Sequence, residues 1–333
     1  MGGEFGPSVT VSASLNFLLD HEDTNLVLIG DSARIEPLLT DLDAPTRSRL
    51  EVIHTSVCVL NESNPVDALR NFKESSMYLA VNLVKEKQAD ACVSAGNTGA
   101  LLMIGRHILK TIPGISKPAI VASIPFPLAG GRGLLLDVGA NVICDAQNLL
   151  EFAVMGSVLA ASIKPGSNPR VALLNIGEEE HKGTEQIKLA AKLMERTETL
   201  QYIGYIEGNE LFSGKADVIV CDGFSGNLSI KTSEGVVKVI AGLFRQGTTG
   251  NLMSRIAGLM ALPLLNRMQA KIDPSQFNGA SVLGLQGTIV KSHGSASVSG
   301  FQSAISQALR EVKSDVPSII QKQMTGILQP CVS

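Results

Sequence analysis

Short apolar runs alternate along this chain with turns rich in Gly, Asn and Ser, and apolar positions at helical spacing follow most of the turns. Repeated in that order, the pattern predicts strand–turn–helix units of a parallel sheet. Strands are expected at 26–29, 50–54, 89–94, 119–124, 133–138, 170–176, 216–221 and 287–290. Asn64-Pro65 reads as a helix cap followed by Pro at the first helical position, opening one helix to about residue 87. Further helices are expected after the turn at 95–99 as far as residue 109, at 146–161, after 227 to about 244, and at 300–312.

One stretch departs from this rhythm. In 246–272, Leu252, Ile256, Leu259, Met260 and Leu264 fall at helical spacing, and Pro263 interrupts them. It reads as an amphipathic helical excursion from an otherwise single α/β unit spanning 1–333. Its most apolar part is too short to span a bilayer. No basic start followed by an apolar run marks the N-terminus as a secretory signal.

Composition changes the picture in three ways. Aromatic residues make up 4% and Trp is absent, so the core is aliphatic, as in buried parallel sheets. A net charge of −3 argues against nucleic acid as a partner. The five Cys lie far apart, with no C-x-x-C pair. They read as reduced, buried thiols of a cytoplasmic protein, and no metal or other cofactor is expected.

Five strand-to-helix turns carry candidate chemistry. Ser94–Ala100 (SAGNTGA) sets Gly96 and Gly99 around Asn97 and Thr98, so that backbone amides and a helix N-terminus can cradle a phosphate; an ordinary tight turn is the alternative. Asp137 opens DVGAN, ending at Asn141, and is read equally as a ligand-facing carboxylate or a turn cap. Gly177 and Lys182 lie in NIGEEEHKG, where Lys182 beside Gly183 can reach an anion as a point charge. Asp222, Gly223, Ser225, Gly226 and Asn227 lie in CDGFSGN, with Lys231 one turn later. Cys221, inside a strand pattern, reads as buried and inert. Lys291 and His293 lie in KSHGSA. Parallel strands would bring all five turns to one carboxyl edge, making an anion site of phosphate size. Neither G-x-x-x-x-G-K-[ST] nor G-x-G-x-x-G occurs.

Taken together, these words resemble the phosphate acyltransferase family of bacterial phospholipid synthesis (PlsX). The matching stretches are MGGEFGPS (1–8), KESSM (73–77), SAGNTGALL (94–102), LDVGAN (136–141), VALLNIGEEEHKG (171–183), DVIVCDGFSGN (217–227), KTSEG (231–235), NGASVLGLQG (278–287) and VKSHGSA (290–296). They follow one another in order over nearly the whole chain. The resemblance implies a three-layer α/β/α sandwich with a mostly parallel sheet, related to phosphotransacetylases and isocitrate-type dehydrogenases. It implies a homodimer, peripheral at the inner face of the membrane through 246–272. It also implies a reaction in which acyl carrier protein thioester and inorganic phosphate give acyl phosphate. The family's chains begin with a strand ending in Asp, ahead of Met-Gly-Gly-Asp. Here Met1 is that Met, Glu4 stands for the Asp, and the strand is absent, as a late start or a truncation would leave it. An unpaired sheet edge is the expected result.

For such a reaction phosphate is itself the nucleophile. Lys182 and Lys291 are expected to neutralise anions, Asn97 and Thr98 to cradle phosphate, and Asn227 to position the acyl carbonyl. His293 is assigned either phosphate binding or proton transfer. Between 231 and 271 there are six basic residues against Glu234 alone, a surface suited to an acidic carrier or anionic lipid; a dimer interface is the alternative, and the uses can overlap. The rival readings are a phosphotransacetylase-like enzyme using coenzyme A, a decarboxylating dehydrogenase, and a non-catalytic membrane scaffold.

Overall fold

The structure, a computed structural model, describes residues 1–40, 42–247 and 278–328. In chain order its elements are α1 (Pro7–Asp20), β1 (Leu26–Gly30), α2 (Ser32–Ile35), α3 (Ala44–Ser48), β2 (Leu50–His54), α4 (Pro65–Asn71), α5 (Ser76–Lys85), β3 (Ala91–Ser94) and α6 (Thr98–Leu109). There follow β4 (Ala119–Pro125), β5 (Arg132–Leu136), α7 (Ala146–Ile163), β6 (Arg170–Leu174), α8 (Glu185–Glu195), β7 (Gln201–Ile206), β8 (Val218–Val220) and α9 (Gly223–Gly247). The last are β9 (Ala280–Leu283), β10 (Thr288–Lys291), α10 (Val298–Lys313) and α11 (Val316–Leu328). Of the expected excursion at 246–272, only 246 and 247, which close α9, lie within the described residues.

Local chemistry sets most of the boundaries. Asn64 caps α4 by accepting from the amide of Val66, with Pro65 behind it as expected. The single helix expected to run from there to about residue 87 is instead two. Ser75, fully buried, accepts from the amide of Tyr78 and starts α5 afresh, because a Ser hydroxyl competes well at an N-cap. The elements α1, α8, β7, β9 and α11 have no counterpart in the sequence reading.

Eight strands form the main sheet in the order β3-β10-β9-β4-β5-β8-β6-β7. Four of its pairings are parallel, namely β3–β10, β5–β8, β6–β8 and β6–β7. The pairings of β10 with β9, β9 with β4, and β4 with β5 are antiparallel. The sheet therefore has two blocks of opposite sense, which corrects the expectation of one shared carboxyl edge. The reversal comes from the tight β4–β5 connection and from β9, neither of which a βαβ pattern predicts. The register brings the blocks back together. Val121 pairs with Leu136 on one side and Ser281 on the other, and Ser281 pairs with Val290. Leu136 and Val290 are thus level, three strand spacings or about 14 Å apart. The carboxyl ends of β5 and β10 converge at mid-sheet rather than sharing an edge.

Helices cover both faces. Against β5, β6 and β8, α7 and α8 build one aliphatic core around Leu136, Phe152, Leu173 and Val220. The opposite face is closed by Ile124, Phe126, Leu135 and Ile219. Among the described residues, α7 is the one helix long and apolar enough to cross a membrane, and it is mostly buried in this core. The helices α5 and α6 pack on β3 and β10 from one side, and α1 and α10 cover the other. β1 and β2 form a separate parallel pair. Between β1 and β3 lies a cavity of about 460 Å³ lined by Leu26, Leu28, Cys92, Val93, Phe17 and Phe301.

Glu311 on α10 is buried, accepting from Ser281 Oγ and from Gln307 Nε2. Burial pushes its carboxyl up to about 7, against the hydrogen bonds from Ser281 and Gln307. The neutral form is preferred in the fold, so its contribution to stability is complete below the unfolded value near 4.5 and is lost as pH rises through about 7. The loss amounts to about 3 kcal/mol. Glu311→Gln is expected to match the parent near pH 5 and exceed it at pH 8 in urea unfolding. Parallel pH dependences for the two proteins would refute this.

Candidate active site

Two groups of turns meet where the blocks converge. The first belongs to β3 and β10. Lys291 pairs in register with Ser94, and the amide of Ser292 donates to the carbonyl of Ser94 at 2.9 Å. Lys291 is buried, and its Nζ donates to the carbonyls of Ala95, at 3.5 Å, and Ser292. No carboxylate pairs with it among the described residues. Burial, with the charge of Lys231 second, pulls its ammonium down to about 8.

Beside Lys291, the turn Ser94–Gly99 feeds α6. Asn97 is its N-cap, with Oδ1 accepting from the amide of Ala100 and Nδ2 donating to the carbonyls of Asn61 and Ser63. The side chain expected to cradle phosphate is thus occupied in holding the turn. The amides of Thr98 and Gly99 precede the first intrahelical hydrogen bond and remain as donors. Ser94 Oγ accepts from the amide of Gly96.

His293 is exposed. Its amide donates to Asn278 Oδ1, and its Nδ1 accepts from the amide of Ser295 at 3.2 Å. With Nδ1 accepting, the neutral ring carries its proton on Nε2. Burial of part of the ring and the nearby Lys231 charge hold its pKa below the ordinary imidazole value. The sequence reading left the segment 1–6 out of the site, yet it packs here. Gly2 lies against Gly96, where a Cβ would come within 2.5 Å of the Gly96 Cα, and the amide of Glu4 donates to the carbonyl of Gly294. The MGGEFG spacing was the signal available.

The second group follows β5, β8 and β6. Asp137 is buried, and its carboxylate accepts from the amides of Ile120, Ala140 and Asn141 and from Asn141 Nδ2, at 2.6–3.0 Å. Burial pushes its pKa up against those four donors. Of its two readings, the turn cap is the one these contacts match. Asn141 Nδ2 also donates to the carbonyl of Pro118. Asp222 caps α9, accepting from the amide and hydroxyl of Ser225. The amide of Gly223 donates to the carbonyl of Asn141 at 2.7 Å, locking the two turns together. Asn227 is exposed beside Gly139. In the turn after β6, Lys182 lies 3.9 Å from Glu179, while Asn175 Nδ2 donates to the carbonyls of Gly177 and Lys182. No contact joins Lys182 to Lys291 among the described residues. Cys221 is buried, and its thiol is pushed well above its ordinary value, first by burial, as the inert reading expects.

α9 links the groups. It starts in the second, and Lys231, eight residues along or about 12 Å, faces the first closely enough to depress both Lys291 and His293. Its docking depends on Gly226, where a Cβ would fall 1.9 Å from the Asp137 carbonyl. Gly226→Ala is expected to destabilise by about 2 kcal/mol and to lower turnover more than tenfold. Gly235→Ala, in open space on the same helix, is expected to stabilise slightly. Melting and turnover of the pair check this; equal behaviour would mean that α9 docks otherwise.

Comparison with known proteins identifies the family and the fold. The profile of a family described as fatty acid synthesis protein matches residues 1–319. A phosphate acyltransferase of Pseudomonas savastanoi is 50% identical over 329 residues, covering 99% of this chain and 96% of the relative. One from Shewanella loihica is 44% identical over 328 residues, covering 98% and 96%. Among solved structures, a phosphotransacetylase from Streptococcus pyogenes superposes with a TM-score of 0.62 at 19% identity, covering 92% of each chain. The EutD phosphotransacetylase from Staphylococcus aureus gives 0.57 at 18%, again covering 92% of each. These two show the α/β fold that the resemblance implied.

Proposed function

The chain belongs to the phosphate acyltransferase family, and from that premise we propose that it transfers a fatty acyl group from acyl carrier protein to inorganic phosphate, supplying acyl phosphate for phospholipid synthesis. The observation that carries the phosphate site is Lys291, a buried cation that reaches the carbonyl of Ala95 in the turn leading to the amides of Thr98 and Gly99, with carbonyls as its only partners among the described residues. A buried ammonium in that setting calls for an anion. Bound there, a phosphate oxygen attacks the thioester carbonyl carbon, a tetrahedral oxyanion forms, and the thiolate leaves as the acyl phosphate is completed. We assign to His293 either a hydrogen bond from Nε2 to the bound phosphate or, in its imidazolium form, donation of the thiolate's proton; beside the neutral ring the thiolate takes its proton from water. Lys182 and Asn227 approach the acyl end from the second group of turns.

The carrier as donor is supported by charge. Lys231 and Lys238 open the basic stretch 231–271, and carriers are acidic. The exposed residues Val236, Val239, Ile240 and Leu243 of α9 continue toward 246–272, the segment we assign to the homodimer and to peripheral contact at the cytoplasmic face of the membrane. Hydroxylamine trapping tests the reaction. Phosphate-dependent hydroxamate is expected from long-chain acyl carrier protein, at a higher rate than from the coenzyme A thioester. Equal or faster reaction with coenzyme A would favour a phosphotransacetylase-like enzyme, and absence of product with either donor would overturn the proposal.

A further inference from the structure

The turns of the second group carry more exposed apolar surface than their chemistry requires. Val142, Ile143, Ile176, Phe224 and Leu228 are 57–81% exposed. Single exposed apolar residues are ordinary, but five at the ends of three adjacent strands form a patch. Val142 follows Asn141 and Phe224 follows Gly223, and those two residues are hydrogen-bonded. Phe224 and Leu228 stand four apart on α9, hence on one face of it. Ile176 stands between Asn175 and Gly177, in the turn that carries Lys182.

The charges around this patch select its occupant. Glu178, Glu179 and Glu180 follow Ile176, and Asp222 and Asp145 flank the other turns, but Lys215 pairs with Glu178, Lys182 lies against Glu179, and Lys117 donates to the carbonyl of Ile143. With its charges of both signs interleaved, such a rim offers an acidic carrier or an anionic lipid surface no net positive charge to dock on, whereas a neutral hydrocarbon chain needs none. The patch is also continuous with the turns that hold Asn227 and Lys182. With phosphate held at Lys291 in the first group, a thioester whose carbonyl meets it from the side of Asn227 lays its chain on this adjoining surface.

Resting on the reading above, we propose that Val142, Ile143, Ile176, Phe224 and Leu228 form the surface that holds the donor's acyl chain and sets the preference for chain length. Their exposure makes polar replacement compatible with folding. The double variant Phe224→Ser, Leu228→Asn is expected to lower kcat/KM for a palmitoyl donor at least tenfold while changing that for a butyryl donor less than twofold. Val142→Ser, Ile143→Ser, on the other turn, is expected to shift the preference in the same direction. A parallel fall for both donors would overturn the inference, since the residues would then act on the turns themselves. So would unchanged selectivity, or a change of oligomeric state in place of selectivity, which would make the patch an interface between copies. Failure of the unaltered enzyme to use any donor would instead refute the reaction assigned above, so the two failures are distinguishable.

Discussion

Lys291→Met is expected to cut turnover at subsaturating phosphate by about two orders of magnitude, the range seen when one preorganised charge or donor is removed from an active site. The same change is expected to stabilise the protein at neutral pH. The ammonium is buried among carbonyls with no carboxylate partner among the described residues, and Met fills similar space without a charge to desolvate. The sign follows from the pKa. Lys291 is pulled down to about 8 from 10.5, so folding favours its neutral form, and its contribution to stability falls as pH drops from 10.5 through about 8. The Met variant escapes that loss. Activity runs the other way, because phosphate needs the charged form: kcat/KM for phosphate is expected to decline as pH rises through about 8. Steady-state kinetics and thermal melting between pH 6 and 9 check both parts. Near-normal turnover in the Met variant would remove Lys291 from the site.

A five-residue apolar strand joined ahead of Met1 is expected to raise the melting temperature by about 4 °C or more. The edges of β1 and β3 not used in their own sheets line the two sides of the 460 Å³ cavity. Met1 lies at the carboxyl ends of both strands. Its side chain packs where Gly30 lacks a Cβ, and Gly2 packs on Gly96. Its amine is buried, and burial lowers its pKa. A segment ending at Met1 therefore enters the cavity parallel to both strands and would join the two sheets. Five buried apolar side chains gain about 10 kcal/mol, against an ordering cost of about 7. Ladder hydrogen bonds on both sides, at about 1 kcal/mol each, add to the surplus. A net gain of about 3 kcal/mol corresponds to a shift of about 4 °C for a chain of this size. A Gly-Ser extension of equal length, which buries nothing, is expected to leave melting unchanged. Equal melting of the two extended forms would show that the cavity does not accept a strand.

Much of this fold was legible along the chain because its signals are local. Periodicity and turn chemistry placed β2 at 50–54 and set the start of α4 behind Asn64-Pro65. They also located the turns after β3, β5, β6, β8 and β10, and an apolar strand setting marked Cys221 as buried. The resemblance of the motifs then supplied the family.

Other features are decided by contacts far apart in sequence. Strand direction depends on pairing, so the two opposed blocks could not be read before β4 and β9 were placed between them. β9 is four residues long, too short to show a period of its own. Asn97 and Asp137 present the same side chains to a reader whether they face a ligand or close a turn. The carbonyls of Asn61 and Ser63 and the amide of Ile120, packed from elsewhere in the chain, and the amide of Asn141 are the turn-closing contacts that the sequence does not show. Lys291 is the clearest case. Local sequence set it at a strand end beside small residues, but its burial and the neighbouring Lys231 come from β3 and α9, brought to it from distant parts of the chain. Local propensity thus determined the elements and the candidate residues, while desolvation and charge, which depend on what packs alongside, were decided by the tertiary structure.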